Sequence, residues 1–254
     1  MSGLQRAVGI SFAFAALLAC PCIRAATVSA PQDETVVAAL AAMPPEERGD
    51  LLLARGQYLA AVDAYKEAAQ TATILNKMGI AYHHLLAIDL AEQDYKKALL
   101  IRPNYPEAIN NLGAAYFAKR DYRKAIRLYR RALELMPTSA VVAANLGTAY
   151  FAREQYKPGL QAYKIAFELD PDVFANDNFG IIAGPTRMAD RARQDYSIAE
   201  LFAQAGNEKR AIEYLRKALD EGFTDHNKIM QDALFAKLRQ TSEFAQLMAE
   251  QKMH

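Results

Sequence analysis

Few side chains in this sequence stand at spacings that support chemistry. Four histidines occur, and His83 and His84 are adjacent. On a helix, neighbours point about 100° apart, so this pair cannot converge on one metal ion. His226 and His254 lie in the tail. Gly180 and Gly184 share part of the spacing of a phosphate-cradling loop, but no Lys-Ser or Lys-Thr follows them and no strand-like run precedes them. No His-Glu-x-x-His, Gly-x-Ser-x-Gly or Cys-x-x-Cys motif is present. Carboxylates are scattered as on solvated helix faces. The one concentration that could serve catalysis is Asp172, Asp177, Arg187 and Asp190, in and beside an irregular segment rich in turn formers. The expectation is therefore no catalytic site, no metal and no cofactor. An enzyme working through that irregular segment is the alternative.

Composition narrows the classes further. Formal net charge is +1 with 23% charged residues. A nucleic-acid binder would carry a basic excess, so none is expected as a partner. Hydrophobic residues make up 52% and there is no Trp. Much of the apolar content is Ala, which favours helix.

The elements that would position any site follow from a repeat. Between Thr71 and Val173 five classes of position recur every 34 residues. They are Gly79, Gly113 and Gly147; Tyr82, Tyr116 and Tyr150; Tyr95, Tyr129 and Tyr163; Ala98, Ala132 and Ala166; and Pro103, Pro137 and Pro171. A period in this range means stacked supersecondary units. Ile109, Leu112, Gly113 and Tyr116 form one stripe of a first helix, and Ala125, Leu128, Tyr129 and Ala132 one stripe of a second. Gly and Ala on facing stripes let the two backbones approach, and the rings fill the gaps around them. Tyr82, Tyr116, Tyr129, Tyr150 and Tyr163 are accordingly expected in the core. Pro137 and Pro171 stand where a second helix must stop. No unit buries its apolar face alone, so each needs its neighbours.

Residues 1–25 have the pattern of a secretory signal peptide. Arg6 supplies the basic start, and Ala7 to Ala19 is an apolar run shorter than the roughly 20 residues that span a bilayer. Cleavage after Ala25 would remove both cysteines, Cys20 and Cys22, leaving no thiol for a disulfide or metal site. Leu17-Leu18-Ala19-Cys20 resembles a bacterial lipoprotein signal, which gives the alternative of a lipid anchor at Cys20; Leu18 and Pro21 count against it. The expected location is periplasmic or secreted, with an outer-membrane lipoprotein as the alternative.

The remaining boundaries follow the pattern. Residues 26–41 form a linker with a short helix. A degenerate unit at 42–71 carries Gly49, Leu52, Gly56, Tyr58, Ala61, Tyr65 and Ala68, four residues short of the period. Regular units occupy 72–105, 106–139 and 140–173. An inserted loop spans 174–191. A further helix pair at 192–224 is marked by Ile198, Phe202, Gly206, Ala211, Leu215 and Ala218, with Gly222 ending its second helix. Residues 225–254 are expected to form two capping helices around Leu234, Phe235, Leu238, Phe244, Leu247 and Met248.

The run Ile109, Leu112-Gly113, Tyr116, Ala125, Tyr129, Ala132, Pro137 resembles the tetratricopeptide repeat, a 34-residue helix pair. The resemblance implies an all-α fold, a right-handed helix-turn-helix solenoid with a C-terminal helical cap. It also implies a concave groove lined by the first helices, and a partner that is a protein or peptide. A membrane enters only if Cys20 is lipidated. Carried onto this sequence, the groove residues are Asn76, Lys77, His83, Asn110, Asn111, Phe117, Asn145, Thr148 and Phe151. Asn offers both donors and acceptors to a peptide backbone. Phe117 and Phe151 would take apolar side chains there, or else pack against the next repeat. The basic pair that clamps a carboxylate in some members is largely missing, with Lys77 alone on that face.

Overall fold

A computed structural model describes residues 39–174 and 188–251 of the chain. Two units partition it: Met1–Ala41, of which residues 39–41 are described, and Ala42–His254. The second holds all the helices named below. The expected signal peptide, Cys20, most of the linker, His254 and positions 175–187 of the expected loop lie outside the described residues.

Each unit is a helix pair. The pairs are α1 (Pro45–Ala54) with α2 (Tyr58–Glu67), α3 (Ala72–His84) with α4 (Ile88–Ile101), and α5 (Pro106–Ala118) with α6 (Tyr122–Leu135). They continue with α7 (Ala140–Phe151) and α8 (Tyr156–Leu169), then α9 (Met188–Gln204) and α10 (Glu208–Asp220). Helix starts follow from local chemistry. Thr71, Asp121, Ser139 and Asn207 each accept a backbone N–H three residues on. Pro45 and Pro106 begin α1 and α5, where a missing N–H costs nothing. Pro103, Pro137 and Pro171 stand two residues beyond α4, α6 and α8 and end them.

Packing within a pair rests on one contact repeated four times. A Cβ on Gly49, Gly79, Gly113 or Gly147 would lie 2.4, 2.5, 2.8 or 2.3 Å from the ring of Tyr65, Tyr95, Tyr129 or Tyr163. Those four tyrosines are fully buried. The fifth pair changes both partners together: Ala199 and Leu215 hold the equivalent places, and both are buried. A larger first-helix residue is matched by a smaller second-helix one. Tyr82, Tyr116 and Tyr150, expected in the core, pack against it only half-buried. Contacts are densest within pairs, and first helices also touch one another, α3 with α5 and α5 with α7.

The C-terminal third differs from expectation in two ways. Helix α9 begins at Met188, inside the span expected to be loop, because helix-compatible residues resume soon after Pro185 and Asp190 sits favourably in the first turn. The tail is more broken than two helices. It consists of α11 (His226–Gln231), single 3-10 turns at Ala233–Phe235 and Leu238–Gln240, and α12 (Ser242–Glu250). Ile229, Phe235, Leu238, Phe244 and Leu247 bury against α9 and α10 and close the end of the stack. Gly222 follows α10 with φ +96°, the left-handed stop its position suggested.

Candidate functional site

The candidate face is built from the first helices, and its polar side chains first bind each other. Asn111 Nδ2 donates to Asn76 Oδ1 at 3.1 Å, and Asn145 Nδ2 donates to Asn110 Oδ1 at 3.0 Å. Asn110 Nδ2 donates to Asn111 Oδ1 at 3.2 Å, joining the two into one chain. The linked residues are 35 apart, one more than the repeat length, so each bond ties a first helix to the preceding one. The shortened first unit does the same with charge: Lys77 Nζ donates to Glu46 Oε1 at 3.0 Å, a separation of 31. Lys77 also reaches Asp50 Oδ2 at 2.7 Å. Lys77 is therefore an inter-repeat tie rather than the lone groove cation its sequence context suggested. Glu46 and Asp50, its partners, were missed. The 31-residue offset, one more than the short repeat, was the signal for Glu46.

The chain of amides leaves polar capacity. Asn76 accepts one bond and its amide N–H groups donate none among the described residues; Asn145 donates one and keeps its oxygen. Asn76, Asn110 and Asn145 are buried and Asn111 is half-buried. The neighbouring Ala114 and Ala144 are buried, while Thr73, Glu107 and Val141 on the same first helices are more exposed and form the rim of this face.

The remaining expected site residues are occupied inside the fold. Phe117 is 2% exposed; its ring lies 5.1 Å from that of Tyr122, among Ala125, Ile126 and Leu146. Phe151 is 1% exposed, stacked 5.1 Å from Tyr163 and seated where Gly159 has no side chain. Expected either in the groove or against the next repeat's first helix, these rings pack mainly on their own second helix, whose small residues leave room for a large ring. Leu146 of the next first helix joins the same cluster as Phe117. Thr148 donates to Ala144 O and lies 2.9 Å from the Tyr163 hydroxyl, so its polar group faces the helix pair. Burial and the neighbouring His84 push His83 down to about 4, keeping it neutral. His84 stacks on Tyr58 at 4.4 Å. Of the nine residues, the structure brings Asn76, Asn110, Asn111 and Asn145 together and places Lys77 beside Glu46 and Asp50, while His83, Phe117, Thr148 and Phe151 serve the interior.

Among the described residues, no group of three or more His, Cys, Asp or Glu side chains could hold a metal ion, and no helix is long and apolar enough to cross a membrane.

Comparison with known proteins follows from this geometry. Tetratricopeptide repeat profiles match residues 70–138, 116–175 and 196–221, which together span just over half of the chain. No curated protein matches the sequence. Among solved structures, MamA from Desulfovibrio magneticus RS-1 is similar at 23% identity and a TM-score of 0.50, over 74% of this chain and 96% of that one. A chain of the APC/C hetero-tetramer Cut9–Hcn1 is similar at 19% identity and a TM-score of 0.52, over 82% of this chain and 35% of that one. At such identities these likenesses speak to the fold, a helix-pair solenoid. Repeating Gly–Tyr contacts, inter-repeat ties and three successive profile matches converge: this chain is a tetratricopeptide repeat protein.

Proposed function

We propose that the protein is an exported scaffold that binds another protein or a peptide segment along the face formed by its first helices. The observation that carries this reading is the amide chain Asn76–Asn111–Asn110–Asn145 running through three successive units. It leaves the Asn76 amide N–H groups and the Asn145 side-chain oxygen without a partner among the described residues. Such a surface suits a peptide backbone, whose N–H and C=O groups repeat regardless of sequence. Export rests on Arg6, the apolar run Ala7 to Ala19 and the small residue at Ala25. The intact mass of the secreted protein tests that step: a chain beginning at Ala26 supports it, and acylated Cys20 replaces it with a lipid anchor.

The binding face is tested through its exposed rim, where substitution does not disturb packing. Glu107→Arg with Val141→Arg places two long cations on this face. Partner capture is expected to fall about tenfold or more while melting stays at the wild-type value. Arg123→Ala with Lys157→Ala, on exposed second-helix positions, is expected to leave capture unchanged. Equal capture by the rim variant and wild type would move recognition off this face.

A further inference from the structure

The last two helix pairs and the start of the cap line a half-open cavity of about 290 Å³ that the peptide-binding reading does not use. Phe151 and Tyr156 line it from α7 and α8, Tyr196 and Ser197 from α9, and Phe223 from the segment after α10. Tyr196 and Phe223 stack with centroids 4.3 Å apart and planes 6° from parallel, so each covers one face of the other and the pair forms an aromatic wall. Phe151 and Tyr156 form a tilted wall with centroids 5.9 Å apart. Arg193, Asp225 and Lys228 complete the lining.

The charges are unevenly engaged. The Arg193 guanidinium lies 4.4 Å from the Tyr156 ring centre, and Lys228 Nζ lies 4.3 Å from that of Tyr196. Neither forms an ion pair among the described residues, whereas Lys77 and Lys119 each hold two carboxylates. The nearby acids are already in use. Asp225 Oδ1 caps α11 by accepting from Lys228 N at 2.9 Å. Asp232 accepts from the Tyr196 hydroxyl at 2.6 Å and from Leu234 N at 2.9 Å. Burial and the neighbouring Asp232 hold the proton of Glu200 up to about 7, although Lys228 opposes the shift. A cation over a ring gains less than a charge-assisted hydrogen bond to a carboxylate, so both cations can turn to such a partner while their stems still cover the rings.

We propose that this cavity binds a small monoanion with a flat apolar body, an aryl carboxylate. Its ring packs between the stacked Tyr196–Phe223 pair and the Phe151 and Tyr156 wall, and its carboxylate sits between Arg193 and Lys228. Charge-assisted hydrogen bonds from two cations at the mouth of an aromatic slot select that combination. The volume lies just below the roughly 300–1,000 Å³ of small-molecule pockets, so it accepts one ring system rather than a long chain.

The test titrates the full chain with 2-naphthoate, 2-naphthamide and 2-naphthylmethylammonium, followed by calorimetry and by NMR shifts. The expected result is saturable one-site binding of naphthoate, with the neutral amide about tenfold or more weaker and the ammonium weaker still. Arg193→Gln with Lys228→Gln is expected to lower naphthoate affinity about tenfold or more with an unchanged melting curve, and Arg193→Lys to retain most of it. Ser197→Phe, which fills the cavity, is expected to abolish binding. Absence of saturable binding, equal binding of acid and amide, preference for the ammonium, or indifference to the double substitution each overturns the proposal. So does failure of naphthoate alongside capture of a short peptide ending in Phe, lost in the double variant, which would give the cavity to a polypeptide partner.

Discussion

At the scale of single residues, the fold depends on a few contacts whose equivalents do not all behave alike. Gly113→Ala forces a Cβ to within 2.8 Å of the Tyr129 ring, and we expect a loss of about 1–3 kcal/mol in thermal unfolding. The four buried tyrosine hydroxyls diverge according to the residue fifteen places earlier. Tyr65 donates to Asp50 at 2.7 Å and Tyr163 lies 2.9 Å from Thr148. Ala114 stands at that place opposite Tyr129, whose buried hydroxyl has no partner among the described residues. Removing an unpaired buried hydroxyl relieves a desolvation cost, while removing a paired one loses a bond and strands its acceptor. Tyr129→Phe should therefore be neutral or stabilising, and Tyr65→Phe should destabilise by about 1 kcal/mol. Equal effects would show that the Asp50 bond contributes nothing. The Gly–Tyr contacts were legible because both residues recur with the period. The interior role of Phe117 and Phe151 was not, since their position alone did not decide between floor and core. The deciding partners, Tyr122, Tyr156 and Gly159, lie on the following helix.

At the scale of elements, the turns between paired helices share one backbone requirement. Gly56, Leu86, Arg120, Glu154 and Gly206 all have φ between +59° and +76°. Glycine meets that requirement without strain, whereas a side chain in the left-handed region costs about 1–2 kcal/mol. Leu86 is 82% exposed, so its side chain returns little packing to offset that strain. Asn tolerates this conformation better, so Leu86→Asn should raise the unfolding free energy by up to about 1 kcal/mol, measured by urea denaturation. A lower midpoint would mean that the Leu86 side chain makes a stabilising contact its exposure conceals. Helix pairs, turns and stopping prolines were readable because period, caps and breakers agreed. The fragmentation of the cap was not, because Ile229, Phe235, Leu238, Phe244 and Leu247 make one apolar cluster from elements too short to show a helical period.

At the scale of the whole molecule, acid acts in opposite directions on the two ends. On α9, burial and neighbouring Glu221 push Asp195 up to about 7 despite Arg191 and Lys217, and burial and Asp232 do the same to Glu200 despite Lys228. The unfolded chain releases those protons near pH 4 while the folded one holds them to about 7, so stability there falls as pH rises across that interval. His83 on α3 is the reverse. The unfolded residue takes its proton near 6.5 and the folded one refuses it until about 4, so stability there falls as pH drops. Glu92 acts further down: although burial opposes ionisation, hydrogen bonds from Lys119, Lys96 and Tyr116 hold it at about 2, and its contribution is lost below the usual carboxylate range. After correction for intrinsic rates, hydrogen exchange should show α9 and α10 better protected at about pH 5 than at about pH 8, and α3 and α4 less protected. A parallel response of both ends would contradict this assignment. Recognition along the first-helix face is tested most directly by photo-crosslinking in intact cells, with a photoreactive residue at Glu107 or Val141 on the rim, or at Arg123 or Lys157 on the second helices. Binding along this face predicts adducts of one size from both rim positions and none from the second-helix positions. Adducts from Arg123 or Lys157 with none from Glu107 or Val141 would contradict it.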